Sequence, residues 1–88
     1  MDTNALGAAI DQAVGAELRG LRSKRGLKRE DLARLSGVGL RTLARFESGE
    51  RSPDLHQLYA LCQVLDISPR DFIGAAMIEL EKDLPVTK

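Results

Sequence analysis

The side chains best suited to chemistry are three hydrogen-bond donors in the middle of the chain. Arg41, Thr42 and Arg45 belong to a short stretch in which the apolar residues Leu43 and Phe46 lie three positions apart. That spacing predicts a helix that turns Leu43 and Phe46 inward and the three donors outward. Guanidinium and hydroxyl groups presented in this way suit phosphate oxygens and the edges of bases.

Another short helix is predicted immediately before these donors. It covers about residues 29–35, with Leu32 and Leu35 expected to face inward. Gly37 follows and is expected to take the left-handed conformation, which glycine adopts without steric cost. The donor-bearing helix then begins near Leu40. Two short helices joined by a tight turn, with donors on the outer face of the second, predict a DNA-binding helix-turn-helix.

A long amphipathic helix is predicted ahead of this pair, over about residues 4–25. Its apolar positions recur at intervals of three or four, at Leu6, Ile10, Val14, Leu18 and Leu21. Thr3 or Asn4 is expected to cap its start, and Gly26 to end it. Arginine and lysine crowd its last turns, where the helix dipole favours cations. That cluster fits a solvated helix end as well as a row of phosphate contacts.

The second half of the chain carries one helix-start signal twice, at residues 52–54 and 68–71. Each signal has a serine as cap, a proline at the first helical position and an acid in the first turn. The predicted fourth helix carries its apolar residues along one face, at Leu55, Leu58, Leu61, Cys62 and Leu65. The fifth does the same with Phe72, Ile73, Ala76, Met77 and Leu80, and Pro85 is expected to close it. No alternating pattern predicts a strand, so the fold class is expected to be all-α with about five helices.

Charge is distributed unevenly along the 88 residues, although the formal net charge is +0. From Arg19 to Arg51 there are ten basic and four acidic residues, a balance of +6, whereas the remainder has three basic and nine acidic residues, a balance of −6. A basic middle and acidic ends suit a single domain with one DNA-binding face. Mixed surface charge is also common in ordinary helical domains.

Several functional classes are not supported by the sequence. Cys62 is the single cysteine and is expected to be a small buried hydrophobe, and His56 has no partner for catalysis or metal binding. No carboxylate pair, nucleophile set or phosphate loop is present, so neither an enzyme nor a cofactor, metal or small-molecule ligand is expected. No apolar run is long enough for a membrane span and the N-terminus lacks a signal-peptide pattern. A cytoplasmic protein is therefore expected.

An ordered set of short motifs runs through the middle of the chain. It consists of Gly26-Leu27, Glu30-Asp31-Leu32-Ala33, Ser36-Gly37-Val38, Thr42-Leu43 and Arg45-Phe46-Glu47-Ser48-Gly49. Together with the apolar pattern that continues to Phe72, this set resembles the Cro/C1-type (XRE-like) helix-turn-helix family of phage repressors, Cro proteins and bacterial relatives. The resemblance implies a five-helix lambda-repressor-like domain. Its family-like core covers about residues 18–72, with helical extensions at 1–17 and 73–88.

The resemblance also implies roles for individual side chains. Base-reading roles fall on Leu40, Arg41 and Arg45. Contacts with the DNA backbone are expected from Lys28, Arg29, Thr42, Ser48 and Arg51. Arg22 and Glu47 match an inward salt bridge that ties the first helix to the recognition helix.

Two positions depart from the family pattern. Lys28 stands where a capping Thr, Ser or Asn is usual, so the second helix is expected to lose a cap worth about 1 kcal/mol and to gain a cation beside the phosphates. Leu40 replaces a polar reader, so an apolar contact with a thymine methyl is expected. Arg41 is expected to take guanine, the commonest bidentate partner of arginine.

The leading hypothesis is sequence-specific binding of double-stranded DNA by a transcriptional regulator of the repressor type. The recognition helix, at about residues 40–48, would enter the major groove, and no membrane is involved. The alternative is a protein-interaction module, such as an antitoxin or adaptor, that uses the same fold to bind a protein partner. Outward arginines beside Lys28 and Arg29 favour DNA.

A homodimer is also predicted, because the apolar stripe of the fifth helix exceeds what a minimal core needs. The interface residues predicted from that stripe are Phe72, Ile73, Ala76, Met77 and Leu80. The alternative is that the fifth helix folds back over the first helix of its own chain. The small residues Gly74, Ala75 and Ala76 would permit that close packing.

Overall fold

The helical elements follow the predicted periodicity closely. The structure, a computed structural model, describes residues 2–83 and the side chains of residues 2–82. Within that range there are five helices and no strand: α1 (Thr3–Lys24), α2 (Arg29–Ser36), α3 (Leu40–Glu47), α4 (Leu55–Leu65) and α5 (Pro69–Asp83). The predicted all-α, five-helix, lambda-repressor-like architecture is confirmed. Pro85, predicted to close the last helix, lies outside the described residues.

The start of α1 differs from the prediction by one residue. The carboxylate of Asp2 accepts a hydrogen bond from the backbone N–H of Ala5 at 2.7 Å, so Asp2 is the N-cap. The prediction of Thr3 or Asn4 as the cap was wrong, because an aspartate one position earlier already satisfies a free amide of the first turn.

The start of α4 also shifts, whereas the start of α5 does not. Asp54 and Gln57 form a capping box, with the Asp54 carboxylate 2.8 Å from the Gln57 N–H and the Gln57 amide oxygen 2.9 Å from the Asp54 N–H. Ser52 is therefore not the cap and Pro53 is not helical, contrary to the prediction. At α5 the hydroxyl of Ser68 does accept from the third amide of the helix, at 3.0 Å.

Two glycines end helices in the left-handed conformation. Gly26, which follows α1, has φ +69°, and Gly37, which follows α2, has φ +78°. A residue with a Cβ is strained at these angles, so glycine is favoured at both turns. Both predictions are confirmed, and the turn at Gly37 directs α3 away from α2.

The core lies where the five helices meet. Its fully buried large side chains are Leu18, Leu32, Leu43, Phe46, Leu61, Leu65 and Phe72. Burial of one such side chain contributes about 1.5–3 kcal/mol, so each of these residues stabilises the fold appreciably. Cys62 is also buried, as predicted, and burial raises the pKa of its thiol. Cys62 therefore serves as a small apolar core residue that is shielded from solvent.

Two leucines predicted to face inward are exposed. Leu35 is 52% exposed because α2 packs against the core through the face that carries Leu32 and Ala33. At 100° per residue, Leu35 lies to the side of that face. Leu55 is 68% exposed, since it begins α4 one turn ahead of Leu58, the first buried leucine of that helix.

The long helices α1 and α5 pack against each other. Phe72 and Ala76 are completely buried and Leu80 nearly so, which places them in the core of their own chain. The prediction that these three residues form a dimer interface was wrong, because α1 already covers them. The predicted alternative, in which the fifth helix folds back over the first, describes the structure. Ala76 allows the close approach, whereas Gly74 faces solvent.

Candidate nucleic-acid interface

The recognition helix α3 is anchored by a buried carboxylate at its last residue. Glu47 is 1% exposed and accepts two hydrogen bonds from the Arg22 guanidinium, from Nε at 2.8 Å and from Nη2 at 3.1 Å. Arg22 Nη1 donates to the carbonyl oxygen of Leu27 at 2.9 Å. The hydrogen bond to Glu47 raises the pKa of Arg22 despite its partial burial. The salt bridge implied by the family resemblance is thus formed, and it joins α1 to α3.

Two further arginines converge on the same residue. Arg29, the first residue of α2, donates from Nε to Glu47 Oε1 at 3.1 Å. Arg19 of α1 donates from Nη1 to the backbone carbonyl oxygen of Glu47. These contacts were not predicted, because 18 and 28 residues separate the partners and no local pattern pairs them. Glu47 therefore holds α1 and α2 to the end of the recognition helix.

Close backbone packing supports this anchor. Gly15 of α1 is buried, and a Cβ atom there would collide with the carbonyl oxygen of Phe46. Near the same crossing, Gln12 donates from its side chain to the Ser48 carbonyl oxygen at 3.4 Å. The residue before Gln12 in α1, Asp11, accepts from the Ser52 hydroxyl. The N-terminal extension of α1 thus braces the C-terminal end of α3.

The opposite face of α3 is open to solvent. Leu40, Arg41 and Arg45 are exposed and Thr42 is half-buried, while Leu43 and Phe46 are completely buried. The predicted division into inward apolar and outward polar residues is therefore observed. Three candidate base readers share one exposed face of a helix whose other face lies in the core.

One acidic residue lies beside these readers. Glu50 approaches Arg45, with 3.6 Å between Glu50 Oε2 and Arg45 Nε. The backbone N–H of Glu50 also donates to the Arg45 carbonyl oxygen at 3.0 Å, which keeps the two residues together. No role was predicted for Glu50. The signal in the sequence for its proximity to Arg45 was its position three residues beyond the end of α3.

The candidate backbone-binding residues outside α3 lie at the start of α2 and beyond the end of α3. Lys28 is exposed at the start of α2, and its N–H donates to the Asp31 carboxylate at 3.1 Å. Asp31 thus supplies part of the capping that the Lys28 side chain cannot. Ser48 and Arg51 are exposed beyond α3, and the Arg51 guanidinium lies 5.9 Å from the centre of the Phe46 ring, within cation–π range.

Arrangements expected of other functions are not found in the described part of the chain. No group of three or more His, Cys, Asp or Glu side chains there could hold a metal ion. None of the helices in that part is long and apolar enough to cross a membrane.

The concave surfaces include an apolar groove of about 290 Å³ between α1, α4 and α5, lined in part by Leu55, Ile73 and Met77.

The family is shown by sequence. A model of the helix-turn-helix family matches residues 18–72. A relative described as an uncharacterised HTH-type transcriptional regulator, y4dJ of Sinorhizobium fredii, is 36% identical over 55 residues, which are 62% of this chain and 71% of the relative. The chain belongs to the Cro/C1-type helix-turn-helix family and is a DNA-binding transcriptional regulator rather than an enzyme.

Solved structures share the fold. The clp gene regulator ClgR from Corynebacterium glutamicum superposes with a TM-score of 0.78 and 27% identity, over 83% of this chain and 78% of ClgR. The restriction-modification controller protein C.AhdI from Aeromonas hydrophila superposes with a TM-score of 0.68 and 37% identity, over 70% of this chain and 94% of C.AhdI. Both similarities extend the agreement from sequence to three dimensions.

Proposed function

We propose that the chain is a repressor that binds a specific double-stranded DNA sequence as a homodimer, with α3 in the major groove. The observation that carries this proposal is the exposed face of α3, where Leu40, Arg41 and Arg45 project from a helix anchored at Glu47. A rigid helix with donors on one face can present them to base edges in a defined register. Repression follows if the bound protein excludes polymerase from the same DNA.

Each reader has a preferred chemical partner. The Arg41 guanidinium suits the O6 and N7 acceptors of guanine, and Arg45 offers the same fork one turn further along α3. Leu40 has no donor or acceptor on its side chain, so its partner is the methyl group of thymine. The readers therefore favour a half-site that contains at least one G·C pair next to a T·A pair.

The residues around α3 set its position on the duplex. Lys28 and Arg29 lie at the start of α2, and Ser48 and Arg51 lie beyond the end of α3. Thr42 lies on α3 between the first two readers and Arg45. Cations and hydroxyls beside a recognition helix bind phosphates along the groove, which fixes register without reading sequence.

The dimer surface proposed from the structure lies on α4 and α5. It consists of Leu55 and Tyr59 on α4 with Ile73 and Met77 on α5, and is named here the α4–α5 apolar surface. Leu55, Tyr59 and Ile73 are exposed and Met77 is half-buried, so this surface retains two residues of the stripe first predicted. Leu55 belongs both to the groove with Ile73 and Met77 and to a shallow depression with Tyr59.

The occupant proposed for this surface is a second copy of the chain. None of its four side chains carries a charge, so it can face its own copy across a two-fold axis without repulsion. It leaves the face of α3 free for DNA. A two-fold dimer also places two recognition helices about 34–36 Å apart, in successive major grooves.

Selection of bound sequences from a random duplex library tests the proposal. Enrichment of an inverted repeat with G·C pairs in each half-site supports sequence-specific, dimeric binding. Repeating the selection with Arg41→Ala should remove the preference at one position of each half-site. Uniform recovery of all sequences at several salt concentrations would reject sequence-specific binding. Capture of a protein partner in place of DNA would favour the interaction-module alternative.

A further inference from the structure

We infer that Glu47 positions Arg29 as a rigid phosphate-binding group, in addition to pairing with Arg22. The inference rests on the proposed DNA binding and assigns a second role to a residue that does not itself face the duplex. Glu47 is a positioning residue in this scheme, and Arg29 is the residue that contacts DNA.

The charges at Glu47 do not balance. One carboxylate faces two guanidinium groups, with Arg22 Nη2 and Arg29 Nε each 3.1 Å from the same oxygen, Oε1. One positive charge therefore remains uncompensated by Glu47. The side chain of Arg22 is 18% exposed and that of Arg29 is 41% exposed, so the excess charge lies toward solvent on Arg29.

The donors of Arg22 and Arg29 are used differently. Arg22 employs Nε and both terminal nitrogens, on Glu47 and on the Leu27 carbonyl oxygen. Among the described residues, Arg29 makes its hydrogen bond to Glu47 alone and through Nε alone. Its two terminal nitrogens keep their N–H groups for another acceptor. A planar guanidinium held at one edge presents these N–H groups as a fork, which matches two oxygens of a phosphate.

The position of Arg29 adds a structural consequence. Arg29 is the first residue of α2 and Glu47 is the last residue of α3, so their hydrogen bond links the two helices of the motif. A phosphate held by Arg29 is thereby placed at a constant distance from the base readers on α3. The phosphate contact of Arg29 and the depth of α3 in the major groove are therefore set together.

The substitution Arg29→Lys distinguishes the contribution of the charge to DNA binding from that of the positioned guanidinium. The lysine ammonium keeps the positive charge but has no planar fork, so it cannot offer two coplanar N–H groups to a phosphate while it bonds Glu47. We expect Arg29→Lys to weaken binding to the selected operator about tenfold, the effect of one charge-assisted hydrogen bond. It should leave the salt dependence nearly unchanged. Arg29→Ala should weaken binding at least as much and lower the salt slope by about one counterion.

Arg34 provides the matched control. It is an exposed arginine on the same helix, and its salt bridge is to Asp31, with 3.7 Å between Arg34 Nη2 and Asp31 Oδ1. Arg34→Lys, the same exchange of arginine for lysine, should bind the operator as the unaltered chain does, because Arg34 has no part in the proposed DNA contacts. Circular dichroism at the assay temperature checks that each variant is folded. A Glu47→Gln background supplies a double-mutant cycle, in which Arg29→Lys should lose most of its effect.

The outcomes are distinct. Operator binding by Arg29→Lys equal to that of the unaltered chain would overturn the positioning role of Glu47. An unchanged affinity and salt slope in Arg29→Ala would overturn the phosphate contact itself. If the unaltered chain fails to bind any duplex DNA, the proposed function fails, and the inference fails with it. Loss of binding in Arg29→Lys that persists fully in the Glu47→Gln background would also contradict the inference.

Discussion

Gly15 in α1 lies against the backbone carbonyl of Phe46 in α3, with no room between them for a side chain. The contact brings the extended first helix onto the C-terminal end of the recognition helix. Arg19, one turn further along α1, donates to the carbonyl oxygen of Glu47 at the same end. The extension that precedes the family-like core thus supports the element proposed to read DNA.

Substitution of this glycine by alanine should destabilise the fold. An added methyl group at Gly15 forces α1 away from α3, which costs about 1–3 kcal/mol, as overpacking does elsewhere. That loss exceeds the gain of about 1 kcal/mol that alanine offers in a helix. Gly20→Ala is the matched control, because nothing lies within 4 Å of a Cβ there. Urea unfolding should rank Gly20→Ala above the unaltered chain and Gly15→Ala below it; the reverse ranking would contradict the close contact.

Removal of the Glu47 carboxylate should be more damaging. Glu47→Ala leaves the guanidiniums of Arg22 and Arg29 without their shared buried partner, and breaking a buried ion pair costs about 3–5 kcal/mol. Glu50→Ala, which removes an exposed partner of Arg45, should change stability by only about 0–1 kcal/mol. Thermal unfolding compares the two variants. Equal midpoints would show that the Glu47 carboxylate contributes no more than a surface charge.

The base readers and the phosphate-binding residues should respond differently to substitution. Arg41→Ala and Arg45→Ala should each weaken operator binding by about 1–3 kcal/mol and relax the preference at one base pair. Lys28→Ala should weaken binding to all sequences alike and lower the salt slope by about one counterion. Affinities for operator and random duplexes, measured over a range of salt, test this. Identical losses on both duplexes for all three variants would contradict the assignment of the recognition face.

The α4–α5 apolar surface should be sensitive to charge. Ile73→Glu places a carboxylate on a residue that is already exposed, so the fold should survive while the dimer dissociates. Ile78→Glu is the control, since Ile78 is also exposed on α5 but does not line the groove. Sedimentation equilibrium at micromolar concentration measures the oligomeric state. A monomeric unaltered chain that stays monomeric on its operator would reject the dimer.

Much of the fold follows from local sequence. Helix periodicity places Leu43 and Phe46 inward, and Gly26 and Gly37 end their helices because only glycine takes those angles freely. The arginines of α3 face outward because Leu43 and Phe46 occupy the inward face of the same helix. These features depend on residues within one or two turns of each other, and that is why they were predictable.

Other features depend on which surfaces the helices bring together. The Arg22–Glu47 pair was implied by the family resemblance. The hydrogen bond from Arg29 to Glu47 was not predicted, because it forms only where α1, α2 and α3 meet at one carboxylate. The apolar stripe of α5 was predicted to face a second copy of the chain, and packing against α1 was the alternative. In the folded chain α5 packs against α1, because Ala76 permits a close approach that buries Phe72 and Leu80 within the same chain. The sequence by itself thus determined the helices and the outward face of the third. Only the tertiary structure decided which apolar faces remained free, because burial depends on contacts between residues far apart in the chain.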